Sequence, residues 1–159
     1  SALADGGYDV EVEKDDRSPM RPVAKAVTMD IECPVAGASF VNDFGYVRPD
    51  STAHAGVDLF APRGTPIVAP VSGLLAWDPN PSGGKAFQFY GDDGIRYYGA
   101  HLDGFIGPPR RVGRGEAIGR VGSSGNAAGG ITHLHFERLP KGGGATNPGS
   151  ILVRTCWAR

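Results

Sequence analysis

The chain alternates apolar and polar positions in short runs, and turn residues interrupt nearly every run. Ile67-Val68-Ala69-Pro70-Val71 and Gly73-Leu74-Leu75-Ala76-Trp77 read as short strands around a turn. Ala86-Phe87-Gln88-Phe89-Tyr90 and Ile95-Arg96-Tyr97-Tyr98 flank Gly91-Asp92-Asp93-Gly94, whose length and residue types signal a β-hairpin. His101 follows the second arm of that hairpin. Glu116-Ala117-Ile118-Gly119-Arg120-Val121 and Thr132-His133-Leu134-His135-Phe136-Glu137 complete the strands. No long amphipathic helix and no internal repeat is visible. Tyr97, Tyr98, Phe87 and Phe89 read as core or strand-pairing residues. The stretch Gly142-Gly143-Gly144 reads as a flexible loop.

Residues 1–30 differ from the rest. Glu11 to Arg17 is dense in charge, and Ser18-Pro19-Met20-Arg21-Pro22 resembles a linker. Tyr8, Val10 and Val12 alternate with polar residues, as one docking strand would. The chain therefore divides into an N-terminal extension, 1–30, and one domain, 31–159. A length of 159 residues suits one domain with a real core. The 25 glycines and 13 prolines approach the level at which disorder is expected. An apolar content of 40% and the strand runs argue instead for a turn-rich β protein.

Charge narrows the function. The net charge of −1 leaves no basic excess to grip a phosphate backbone, so nucleic acid is excluded as a partner. Arg110, Arg111 and Arg114, on a Pro/Gly-rich segment, read as a solvated turn. No stretch approaches the roughly 20 apolar residues of a transmembrane helix. The first residues lack the basic start and apolar run of a secretory signal. No apolar helix face or heptad demands a second copy, so a monomer is expected.

The four histidines carry the candidate chemistry. Side chains alternate along a strand, so Leu134 and Phe136 point to the core while His133 and His135 share the other face. Their Cβ atoms would lie about 7 Å apart, too far for easy chelation of one metal by both. One would hold a metal and the other would touch substrate. Glu137 continues their row, as a support for a ligand or as a solvated charge. His54 and Asp58 would lie about 13 Å apart in a flat strand. A bend at Ala55-Gly56 brings them together, and glycine permits such a bend. Two imidazoles and one carboxylate then give three ligands with a fourth position open, the catalytic pattern for zinc. Asn42 and Asp43 read equally as turn residues or as groups that orient a ligand.

These motifs, with their flanks, resemble the M23 zinc endopeptidases of the lysostaphin type, which cut peptidoglycan. The resemblance rests on His54-Ala55-Gly56-Val57-Asp58-Leu59, Ala61-Pro62-Arg63-Gly64-Thr65-Pro66-Ile67, Gly115-Glu116-Ala117-Ile118-Gly119, Gly122-Ser123-Ser124-Gly125-Asn126 and His133-Leu134-His135-Phe136-Glu137. It runs from about Cys33 to Ser150, in the family's order. It implies a mostly β fold, an antiparallel sheet core with a substrate groove flanked by long loops and few or no long helices. It implies one zinc per chain on His54, Asp58 and His135, with His101 and His133 as the catalytic histidines that do not bind metal. Which of the two is the base stays open, as does the peptidoglycan bond that is cut.

Two departures from the family pattern stand out. The path Asn126-Ala127-Ala128-Gly129-Gly130-Ile131-Thr132 is longer than usual before the HxH strand and bears on substrate preference. Gly99 occupies a position, two before His101, where an aromatic is common. The resemblance further implies an extracytoplasmic bacterial protein, hence a precursor with an export signal or anchor. In such a compartment Cys33 and Cys156 invite a disulfide; the alternative is two separate buried thiols. A rival reading is a non-catalytic or latent envelope protein that binds peptidoglycan or activates another wall hydrolase.

Overall fold

The computed structural model describes residues 30–157. The expectations for residues 1–30, an extension or docking strand, lie outside the described residues save for Asp30. Among the described residues the strands are β1 (Val57–Phe60), β2 (Pro66–Val68), β3 (Gly73–Trp77), β4 (Lys85–Gly91), β5 (Ile95–Phe105), β6 (Arg110–Val112), β7 (Ala117–Val121) and β8 (His133–Pro140). A single turn of helix, α1 (Gly149–Leu152), follows, and a wider helical turn, Val153–Trp157, continues it. The architecture is thus mostly antiparallel β, and no helix among the described residues is long and apolar enough to cross a membrane.

The strands pair in the order β1-β8-β5-β4-β3-β6, with β7 joined to β5 and to β2. The β4–β5 hairpin forms as its turn residues predict, with Phe89 opposite Tyr97 and Gln88 opposite Tyr98. Strand alternation sorts its residues: Phe87, Phe89 and Tyr97 are buried with Leu59, Ile67, Leu134 and Phe136 in the core. Gly99 is part of that core. A Cβ there would run into the Phe87 ring, which fills the space an aromatic at this position would claim.

Three sequence expectations are corrected. The runs Ile67–Val71 and Gly73–Trp77 do not pair around their turn; β2 joins β7, while β3 lies between β4 and β6. Short segments of this kind cannot announce their partners, because pairing is decided by distant chain. His101 does not follow the second hairpin arm but lies within it, since β5 runs on to Phe105. Arg110 and Arg111 belong to β6 rather than a loop. They meet Glu116 and Asp92 at 2.9 Å each, and Arg114 reaches Glu32 at 3.3 Å.

The long β5 changes partner along its length. Ile95 to Ala100 face β8, whereas Leu102 to Phe105 face β7. His101 sits at the handover, with a left-handed φ of 70°. Cys33 and Cys156 form a disulfide with Cα atoms 5.0 Å apart. Phe40 stacks on Trp157 beside it, ring centroids 4.3 Å apart.

Candidate metal centre and groove

His54, Asp58 and His135 converge. His54 Nε2 lies 3.1 Å from Asp58 Oδ1 and 3.1 Å from His135 Nδ1, and His135 Nδ1 lies 3.2 Å from Asp58 Oδ1. Tetrahedral ligands held at about 2.0–2.1 Å from a zinc ion lie about 3.3 Å from one another, so this triangle has the size such an ion requires. No other group of ligating side chains this compact occurs among the described residues.

Strand register builds half of this triangle. Asp58 on β1 is paired with His135 on β8, and Phe60 with His133. Directly opposed residues share a sheet face, so the carboxylate and imidazole meet without any long side chain being ordered. His54 arrives from the preceding loop. Its backbone N–H donates to the Tyr46 carbonyl and its carbonyl accepts from Gly45 N–H, both at 2.8 Å. The bend predicted at Ala55-Gly56 is present at Gly56. Its reason differs from the one expected, because no left-handed φ is involved. A Cβ on Gly56 would strike the carbonyl of Phe136, so glycine is needed for close approach to β8.

Each imidazole is oriented by its other nitrogen. His54 Nδ1–H donates to the Asp43 carbonyl at 3.1 Å, turning Nε2 to the triangle. His135 Nε2–H donates to Glu137 Oε2 at 2.7 Å, turning Nδ1 inward. Glu137 is thus bonded to His135 rather than left as a free solvated charge, and Asp43 holds the His54 ring as well as its turn. Burial opposes a charged His135, but the Asp58 and Glu137 carboxylates outweigh it and lift its pKa to about 9. Burial works against the Asp58 carboxylate too. The hydrogen bond from His135 and the surrounding imidazoles nevertheless hold its pKa below the usual value.

His101 and His133 stand beside the triangle, ring centroids 5.0 Å apart. Both are tied at Nδ1, His101 to the Ser124 carbonyl and His133 to the Ile131 carbonyl, each at 2.8 Å. A carbonyl only accepts, so each Nδ1 carries the proton and a neutral ring keeps a lone pair on Nε2. His133 Nε2 lies 3.8 Å from Asp58 Oδ1. Burial is the main influence that lowers the pKa of His101, which favours the neutral ring. The strained backbone of His101 is held by its N–H, which donates to Gly83 at 2.7 Å. There the loops bearing Gly84 and Gly125 touch backbone to backbone, and a Cβ on either would collide with the other.

Two cavities adjoin the triangle. One, of about 190 Å³, is lined by Arg48, Ser82, Gly83, Tyr98, Ala100, His101, Asn126, His135 and Glu137. The other, of about 470 Å³, is lined by Asp43, Tyr46, Arg48, His54, Asp58, His101, Asn126, Ala127, His133 and His135. The long loop before β8 thus contributes Asn126 and Ala127 to the groove. Tyr98, read as a core or strand-pairing residue, pairs with Gln88 and Glu137 and also lines the smaller cavity, and its hydroxyl accepts from Asn80 Nδ2 at 3.0 Å. Its parity was the available signal: Tyr97 is fully buried, so its neighbour must face the other way. Arg48 and Tyr46 had no such signal, because they reach the groove from a loop.

An antiparallel sheet that carries two imidazoles and a carboxylate at an open groove is built like a metal-dependent hydrolase. The chain belongs to Peptidase family M23, which matches residues 52–148. It is 36% identical over 103 residues to the DD-carboxypeptidase/endopeptidase Mpg of Neisseria meningitidis serogroup B, an alignment covering 64% of this chain and 23% of that protein. The chain therefore spans about a quarter of the length of the curated relatives it matches. The catalytic domain of lysostaphin from Staphylococcus simulans superposes with a TM-score of 0.64 at 27% identity, covering 72% of this chain and 92% of that domain. LytU superposes with a TM-score of 0.60 at 34% identity, covering 70% of this chain and 82% of the other.

Proposed function

We propose that this chain is a zinc-dependent endopeptidase that hydrolyses peptide bonds of peptidoglycan outside the bacterial cytoplasm, with residues 31–159 as its peptidase domain. The observation that carries the reading is the triangle of His54, Asp58 and His135 on the floor of a groove, with two further histidines anchored beside it. One zinc on those three residues supplies a Lewis acid and a water of lowered pKa. His101 and His133 each present Nε2 to the groove. The neutral ring of one accepts the proton of the attacking water at Nε2. The other, whose Nδ1–H is already given to its carbonyl, donates Nε2–H to the oxyanion at the scissile carbonyl only as an imidazolium. The carbonyl anchors on both Nδ1 atoms fix the rings, so neither has to be ordered during the reaction. The name of the relative Mpg, a DD-carboxypeptidase/endopeptidase, fits a peptide substrate of this kind.

The test is mass spectrometry of purified peptidoglycan incubated with zinc-loaded protein. New muropeptides that disappear on chelation are expected, and they identify the bond cut. Unchanged peptidoglycan in the presence of one bound zinc per chain would replace this reading with that of a latent enzyme or an activator of another hydrolase.

A further inference from the structure

Arg48, His101, Asn126 and His135 line both cavities, so Arg48 stands where the two meet beside the triangle. No other arginine or lysine lines either cavity. Arg48 belongs to the loop that delivers His54, and backbone bonds brace that loop: Arg48 N–H donates to Thr52, and Ser51 N–H donates back to Arg48, both at 2.9 Å. The guanidinium is steadied by one bond, Nη1 to Thr52 Oγ1 at 3.0 Å. Its remaining donors have no protein acceptor among the described residues. Asp50 is the acid nearest in sequence. Its Oδ1 accepts from Thr52 N–H at 3.0 Å and from Thr52 Oγ1 at 2.6 Å, so it feels the Arg48 charge through the Thr52 hydroxyl but makes no direct bond to the guanidinium.

The anions of the groove are already matched. Asp58 meets His54 and His135, Glu137 holds His135 Nε2, and Asp43 Oδ1 lies 3.5 Å from His54 Nδ1. The site therefore has a fork of N–H donors with no direct protein acceptor beyond Thr52 among the described residues, its charge balanced only at a distance by the exposed Asp50 carboxylate. A guanidinium fork matches a carboxylate in two parallel hydrogen bonds, and that is the anion a peptide offers.

We propose that Arg48 binds a substrate carboxylate close to the scissile bond and so selects peptides that carry one there. The inference rests on the peptidase reading above and adds to it the chemical class of peptide preferred. The carboxylate can be the free C-terminus of a short peptide or an acidic side chain within it.

The experiment separates these sources. A synthetic peptidoglycan stem pentapeptide is prepared in three forms: free acid throughout, amidated at the C-terminus, and amidated at its side-chain carboxylates. Calorimetry measures binding to zinc-loaded His133→Ala protein, with and without Arg48→Gln. One of the two amidations weakens binding about tenfold in the Arg48 protein and so names the carboxylate bound. Arg48→Gln brings the free acid to that same weaker level. Arg48→Lys restores only part, because an ammonium is a point charge without the fork.

The proposal is overturned if discrimination persists in Arg48→Gln, if the Arg48 protein binds all three forms alike, or if it binds none. Turnover of the same peptides by the unmutated protein is scored separately. Its absence would sink the peptidase reading while the binding series still decides Arg48.

Discussion

His133 and His135 are neighbours on one face of β8, yet one residue points at the triangle through Nδ1 and the other stands outside it. Replacement should therefore separate them. His135→Ala should lose both zinc and activity, whereas His133→Ala should keep one zinc per chain and lose about 10²–10⁴-fold in turnover. Metal content by mass spectrometry alongside peptidoglycan cleavage decides this, and an unimpaired His133→Ala enzyme would remove that residue from the chemistry. A second prediction follows from the charge on His135. In the metal-free protein its pKa is raised from 6.5 to about 9, so the ring's pairing stabilises the fold fully below pH 6.5 and that contribution is lost as pH rises through about 9. The same proton sits on the nitrogen a metal needs. Apparent zinc affinity should therefore weaken about tenfold per unit as pH falls below about 9, with Asp58 ionised throughout. Competition with a chromophoric chelator across that range reads the slope, and a flat profile would contradict it. Glu137→Gln removes the carboxylate that orients Nε2, and should weaken zinc binding by about 10–100-fold.

At the scale of elements, the site is a consequence of register. Asp58 faces His135 because β1 pairs with β8, and that pairing demands a bare backbone at Gly56. Gly56→Ala should therefore cost about 1–3 kcal/mol in stability and weaken zinc binding. Gly113→Ala, where an added Cβ meets nothing within 4 Å, is the matched control and should change stability by less than about 0.5 kcal/mol. Chemical denaturation of both variants measures the difference; equal stabilities would show that β8 can yield at Phe136. This level also shows where sequence reading runs out. Period-two alternation placed His133 and His135 on one face and Leu134 and Phe136 in the core, because alternation is a local property of the strand. The hairpin at Gly91–Gly94 was legible for the same reason. The partners of β2 and β3 were not, since pairing depends on chain far away. Nor was the handover on β5, where His101 takes a left-handed backbone held by Gly83 and by the Gly84–Gly125 contact. Arg48 and Tyr46 reach the groove from a loop, which has no periodicity to betray where a side chain lands.

Across the whole molecule, the centre lies on the sheet face and the disulfide lies on the segments that frame it. Cys33 and Cys156 are separated by 123 residues, so their bridge closes a loop containing every strand and every site residue among the described residues. Closing a loop of that length removes unfolded-state entropy worth about 4–5 kcal/mol in the chain-entropy model. Neither cysteine lines either cavity, and Phe40 stacked on Trp157 gives the C-terminal turn a further contact besides the bridge. The Cys33→Ser, Cys156→Ser double variant should therefore lower Tm by about 10–20 °C. It should still bind one zinc per chain below its transition. A large fall in Tm with unchanged zinc content places the bridge in the unfolded-state balance alone. Loss of zinc at temperatures where the sheet remains folded would mean that the terminal segments help hold the loop of Asp43 and His54 in place, and would move the disulfide from scaffold to site.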